Sequence, residues 1–304
     1  SPLAPLAKLK AAMTEMEKGD STLALVSLRQ FLSLYPKDEL SPAVYFLLGV
    51  NENERNSQKY FDQIIQQNQK SNFFEVAYFA MQNYDFQRSN YQRVITRNAS
   101  IPHDTETAEK TFWQRANHLL MAESAYFLKH YDQAQAEYNL VMIEKPDDLS
   151  EKARIGKAWC VLQTSGPDAA LPLFKEMRDD LLGENRLLAD YGYATVQFIR
   201  QEYEEAIKYY PANANISSYP ELNPLVMKSL FRSAQCYYRL QYYLQAIEAW
   251  NKLASTYPNS DLAVESLYNI ADVYFRADHF SQVDSMSQLI IQRYPDHHLA
   301  AESY

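Results

Sequence analysis

Residues 230–260 read LFRSAQCYYRLQYYLQAIEAWNKLASTYPNS, and residues 267–297 read LYNIADVYFRADHFSQVDSMSQLIIQRYPDH, the same pattern displaced by thirty-seven positions. In the first stretch Ala234 is followed twelve residues later by Ala246, and in the second Ala271 is followed at the same distance by Val283. Tyr243 and Phe280 each stand three residues before the second small residue. Both stretches close on a Tyr-Pro pair, Tyr257-Pro258 and Tyr294-Pro295. Self-similarity with a period of roughly twenty to fifty residues marks a stacked array of one supersecondary unit.

The same spacing runs outward through the chain. Ala12 and Ala24, Ala122 and Ala134, Ala158 and Ala170, and Ala194 and Ala206 are all twelve residues apart. Gly49 precedes Phe61 by the same distance. Gly19-Asp20 breaks the first unit between two helices, and Tyr35-Pro36 ends it, because a residue before proline is pushed out of the helical region. Second helices carry an aromatic four residues past the small one, at Tyr138, Phe174, Tyr210 and Trp250. Tyr131 and Tyr203 open two of these helices and Pro167 opens a third, a residue tolerated in a helix's first turn.

The region Phe73 to Arg97 is degenerate, and Ala80 is its best anchor for a helix contact. A loop is expected from Ile101 to Thr107, with a long helix from near Thr105. Pro211, Pro220 and Pro224 mark a longer connection. Leu299-Ala300-Ala301-Glu302-Ser303 repeats Leu262-Ala263-Val264-Glu265-Ser266 thirty-seven residues on. It reads as the start of a further first helix, so either the natural chain continues past Tyr304 or this helix caps the stack unpaired. Three blocks follow: 1–100 with partly degenerate units, 101–210 with central units, and 211–304 with the last repeat truncated.

Small residues let two helix backbones approach, while a ring fills the wedge between one pair and the next. One pair cannot bury both of its faces, so neighbours must stack. These units resemble tetratricopeptide repeats (TPR), carried by the small-residue couples, by Tyr131, Tyr203, Tyr243 and Phe280, and by the closing Pro36, Pro146, Pro258 and Pro295. Ser287 departs from the family pattern, standing where an aromatic is expected, and the family's first-helix Trp is unmatched. The resemblance implies an all-α fold, a right-handed α-α superhelix of about eight helix pairs. The Tyr-Pro closings with Asn259-Ser260 are similar to those of bacterial envelope TPR proteins, the outer-membrane assembly lipoprotein and the Tol–Pal-associated periplasmic type.

In that family the first helices line a concave face that takes a peptide. Carried over, the groove comprises Lys152, Ile155, Trp159, Tyr191, Thr195, Phe198, Lys228, Phe231, Gln235, Arg239, Tyr268, Asp272 and Phe275. Lys228 and Arg232, four residues apart, could clamp a carboxylate. The asparagines that a chaperone-tail clamp needs are replaced by Leu188, Tyr191 and Thr195, so the two cations are read as solvated.

Chemistry is hard to find elsewhere. With 24 Tyr, 14 Phe and only 6 Gly, the chain lacks a Gly-rich phosphate loop, and its net charge of −9 disfavours a nucleic-acid backbone. Cys160 and Cys236 read as buried thiols inside helices. His118 and His130 have no evident carboxylate constellation, His297-His298 reads as a solvated or capping pair, and no metal site is expected. Asp147-Asp148 and Asp179-Asp180 read as helix-end residues, favourable at the start of the next helix. The sequons Asn98-Ala99-Ser100 and Asn215-Ile216-Ser217 matter only in a eukaryotic secretory protein. No apolar run approaches the ~18 residues of a membrane span.

The expectation is a non-enzymatic, cofactor-free scaffold that binds a protein or peptide in a Tyr-rich groove, in the periplasm or on the inner face of the bacterial outer membrane. The alternative is a cytoplasmic adaptor or regulatory arm of a larger protein. A glycan-cleaving solenoid would need two carboxylates facing each other at about 5–10 Å.

Overall fold

The computed structural model describes residues 3–52, 54–67, 69–98, 111–212 and 220–303. Among them there is no strand, and the chain forms two compact units, residues 1–144 and 145–304. The first unit holds α1 (Ala4–Glu17) with α2 (Ser21–Leu34), α3 (Ser41–Asn51) with α4 (Glu54–Gln67), α5 (Phe74–Gln87) with α6 (Tyr91–Asn98), and α7 (Phe112–Phe127) with α8 (Tyr131–Val141). The second holds α9 (Asp148–Ser165) with α10 (Pro167–Asp180), α11 (Gly183–Ile199) with α12 (Tyr203–Tyr209), α13 (Asn223–Arg239) with α14 (Tyr243–Thr256), and α15 (Asp261–Arg276) with α16 (Phe280–Arg293). A short α17 (His298–Glu302) follows. The fold is the all-α, TPR-like solenoid expected from the repeat.

The small couples are where the helices meet. Ala12, Ala24, Ala122, Ala134, Ala158, Ala170, Ala194, Ala206, Ala234 and Ala246 are all essentially inaccessible. The rings Tyr138, Phe174, Tyr210 and Trp250 are buried beside them, each such burial contributing about 1.5–3 kcal/mol. The couple Ala271 and Val283 departs from this, since Val283 is half-buried and Ala271 is at the edge of the core. Gly49 and Gly192 mark a second solution. A Cβ on Gly192 would fall inside the Phe174 ring's contact distance, and one on Gly49 inside that of Phe61. Here the ring itself occupies the contact, and only glycine leaves room for it.

Both kinds of turn repeat in detail. Between the helices of a pair, Gly19, Ser89, Lys129, Gln201, Gln241 and Asp278 all adopt positive φ, from 59° to 84°. The next N–H then donates back five residues, as in Asn90 to the Asp85 carbonyl at 2.9 Å and Tyr242 to the Tyr237 carbonyl at 2.9 Å. This is the Schellman closure, which satisfies carbonyls that the helix end leaves free. Between pairs, Tyr35, Tyr257 and Tyr294 share φ near −130° and ψ near 55°, forced out of the helix by the proline that follows. Ser41 and Ser260 then donate their hydroxyls to the carbonyls of Tyr35 (2.7 Å) and Tyr257 (2.9 Å). The Tyr294 hydroxyl donates to the Pro258 carbonyl at 2.7 Å, tying one closing turn to the previous one.

Several expectations are corrected. Ala80 is only half-buried; the α5–α6 contact is made by Gln82, which lies twelve residues before Val94 and donates to its carbonyl at 3.0 Å. Asp180 ends α10 instead of starting α11, and it faces Arg154 at 3.4 Å. Asp147 does cap its helix, accepting from the Ser150 N–H at 3.0 Å. His118 has a carboxylate partner after all, Glu137 at 2.7 Å. His297 caps α17 through Nδ1, which accepts from the Leu299 N–H at 3.2 Å. The loop and helix start expected over 101–107, the sequon residues Ala99, Ser100, Asn215, Ile216 and Ser217, and the core of the 211–224 connection lie outside the described residues. The first described helix after that loop is α7, opened by a capping box on Thr111 and Gln114.

Candidate functional site

In the second unit the first helices α9, α11, α13 and α15 touch in succession, α9 to α11, α11 to α13 and α13 to α15. The residues expected in a groove are distributed over these four helices. Trp159 and Tyr191 come together there: their ring centroids lie 6.1 Å apart on neighbouring helices. Trp159 also meets Phe174 edge-on at 5.3 Å, and Tyr191 meets Tyr210 at 5.7 Å. Both rings are half-buried and packed against core aromatics. Thr195 is turned inward along its helix, its hydroxyl donating to the Tyr191 carbonyl at 2.8 Å.

The next group centres on Arg232. Its guanidinium lies over Phe198 at 5.1 Å and donates through Nη1 to Gln235 Oε1 at 2.9 Å. Phe198 meets Tyr203 edge-on at 5.5 Å. On α15, Asp272 accepts from the Tyr238 hydroxyl at 3.2 Å and from Arg276 Nε at 2.8 Å. Burial, and then the Asp272 charge, raise the Tyr238 phenol above its ordinary range. Tyr268 is half-buried against the core, while Phe275 is 58% exposed and meets Phe280 edge-on at 6.1 Å.

Not every expected groove residue is available. Phe231 is 8% exposed and belongs to the core with Leu230, Ala234 and Trp250, so it offers little surface; this corrects its assignment to the groove. Ile155, 5% exposed, is corrected in the same way. Lys152 is engaged by Asp148 at 3.1 Å and Glu184 at 3.7 Å. Lys228 and Arg239 are exposed. Tyr238 was missed by sequence reading, and its signal was present: it stands four residues after Ala234, as Phe198 stands after Ala194 and Phe275 after Ala271.

Among the described residues no group of His, Cys, Asp and Glu is placed to hold a metal ion. Both cysteines are buried and neither is in a disulfide, and burial pushes the Cys236 thiol up to about 12, which leaves it protonated and unreactive at neutral pH. No described helix is long and apolar enough to cross a membrane.

Comparison with known proteins agrees with the repeat. The tetratricopeptide repeat family model matches residues 6–38 and 228–260. These are α1–α2 and α13–α14 with their closing turns. No curated protein sequence matches the chain. Among solved structures, the Cut9–Hcn1 hetero-tetramer of the APC/C superposes with a TM-score of 0.58 at 15% identity, over 92% of this chain and 51% of that one. The apo form of RapI gives 0.57 at 15% identity, over 99% and 95%. A STAND signal-transduction ATPase with a tetratricopeptide repeat sensor, from Pyrococcus horikoshii, gives 0.58 at 16% identity, over 99% and 46%. This chain therefore spans about half the length of the first and third. At such identities the likeness is one of fold.

Proposed function

We propose that this array of tetratricopeptide-type helix pairs is a non-enzymatic scaffold that binds a protein or peptide segment across α9, α11 and α13. The observation that supports this reading is the Trp159–Tyr191 pair, two half-open rings on adjacent first helices, 6.1 Å apart and backed by Phe174 and Tyr210. Rings held in this way present a large contact area at low entropic cost on binding, which is the profile of an interface anchor. Lys152, Thr195, Phe198, Gln235, Tyr268, Asp272 and Phe275 surround or continue this face.

The test is a peptide array probed with the full chain and with Trp159→Ala/Tyr191→Ala. Loss of most binding in the variant, with helicity unchanged by circular dichroism, is the expected result; an unchanged array sinks the reading. A bacterial envelope setting, periplasmic or on the inner face of the outer membrane, is part of the proposal. Its support is the Tyr-Pro-Asn-Ser closing at 257–260 and its repetition as Tyr-Pro at 294–295. Fractionation of cells expressing the native gene tests that part: recovery in the cytoplasm would favour an adaptor inside the cell.

A further inference from the structure

Helix α13 carries Lys228, Arg232, Gln235 and Arg239 at steps of four, three and four residues, which aligns them along one side of the helix. What singles out this line is the lack of any answering carboxylate. Among the described residues Lys228, Arg232 and Arg239 make no ion pair, although the chain is acidic overall, at −9. Four cations on the other first helices of the unit are engaged: Lys152 by Asp148 and Glu184, Arg154 by Glu176 and Asp180, Arg186 by Asp190, and Arg276 by Asp272. Between Glu205 and Glu248 the sequence holds a single carboxylate, Glu221, so residues 213–219 add none. Of the flanking helices, α11 offers Tyr191, Thr195 and Phe198, while its carboxylates are engaged, Glu184 by Lys152 and Asp190 by Arg178 and Arg186. On α15 the carboxylates are Asp261 and Glu265, which make no described ion pair, and Asp272, already engaged by Tyr238 and Arg276.

We propose that this line is the docking track for an acidic segment of the partner polypeptide, whose Asp and Glu side chains meet Lys228, Arg232 and Arg239. The proposal deepens the peptide-binding reading and rests on it. Arg232 is already held in place by Phe198 and Gln235, so little side-chain freedom is lost when a carboxylate arrives. From Lys228 to Arg239 the helix rises about 16 Å, the reach of about five extended residues. Exposed ion pairs are individually weak, but several in a row select by charge and weaken as salt screens them. The clamp read from sequence for Lys228 and Arg232 alone thus extends to Arg239, and it calls for side-chain carboxylates along a segment.

The test uses the full chain and three fluorescein-labelled peptides: one built from Glu, Asp and Leu, its Gln/Asn isostere, and its Lys counterpart. Fluorescence anisotropy should show the acidic peptide binding at least about tenfold tighter than the other two, with affinity falling as NaCl rises. Lys228→Glu with Arg239→Glu, both at exposed positions, should cost the acidic peptide at least about tenfold while circular dichroism stays unchanged. Equal binding of the isostere, no binding of the acidic peptide, or no effect of the double variant overturns the proposal. In any of those outcomes the peptide-binding reading survives as long as the array signal still depends on Trp159 and Tyr191. If that dependence is absent, the reading itself has failed.

Discussion

The α5–α6 hairpin and the α13–α14 hairpin have the same topology and the same turn, yet they are held together by opposite chemistry. In α13–α14, Ala234 meets Ala246, and Trp250 and Leu253 complete a wholly apolar contact. In α5–α6 the equivalent place is filled by Gln82, fully buried, with its amide donating to the Val94 carbonyl and to the Tyr78 hydroxyl, each at 3.0 Å. Asp85, 1% exposed, is met by Arg97 at 2.8 Å and Arg93 at 3.4 Å. Backbone geometry is therefore set by the turn and by the spacing of the contact residues, and the contact can be apolar or polar. A polar contact of this kind is fragile to single changes, because losing one partner leaves the other buried and unpaired.

The largest effects should come from breaking each contact in its own way. Trp250→Ala should cost about 3–5 kcal/mol through a cavity. Asp85→Ala should cost about 1–3 kcal/mol by removing the buried carboxylate that Arg97 and Arg93 meet. Asp85→Leu with Arg97→Met should recover most of that, since a buried ion pair is often matched by well-packed apolar side chains. Urea unfolding gives the magnitudes. Because stability in stacked repeats is local, hydrogen exchange should show the loss confined to the altered hairpin and its neighbours.

Next come the two glycines. Gly49→Ala in the first unit and Gly192→Ala in the second should each cost about 1–3 kcal/mol by overpacking. Phe61→Leu and Phe174→Leu, respectively, should relieve part of the cost; failure of both rescues would show that the ring is not what the glycine accommodates.

A smaller, pH-dependent difference separates the α7–α8 hairpin from the apolar α13–α14 hairpin. Burial raises the Glu123 carboxyl above its ordinary value, against the opposing hydrogen bond that the Tyr138 hydroxyl donates at 2.7 Å. A raised carboxyl penalises the folded state wherever it is ionised, and the penalty is relieved as pH falls through the folded value. Glu123→Gln should therefore stabilise the protein at neutral pH, with the advantage shrinking as pH falls and gone well below about pH 4, where the group is protonated in both states. Thermal melts across that range decide it, and an advantage independent of pH would point to packing alone.

The smallest effect should be common to both hairpins. Ser89→Gly and Gln241→Gly should each add about 0.5–1 kcal/mol, because both side chains sit at positive φ, 59° and 63°. Unequal gains would mean that the turns are less alike than their dihedral angles.

The spacing of twelve between small residues, the aromatics four residues further on and the Tyr-Pro closings were enough to determine an array of paired helices, because helix contacts and helix ends are local in sequence. They located the second-helix starts at Tyr131, Pro167, Tyr203, Tyr243 and Phe280 to the residue. They could not place Gln82 at a contact, since a buried amide becomes tolerable only when a carbonyl such as that of Val94 is brought within reach. Nor could they show that Phe231 turns into the core while Tyr191, at the corresponding position of α11, stays half-open. Which side of a first helix is covered depends on how its neighbours stack against it. The pairing of charges has the same origin: Lys152 is engaged by a carboxylate from the next helix and Lys228 is not, a difference that exists only once the helices lie side by side.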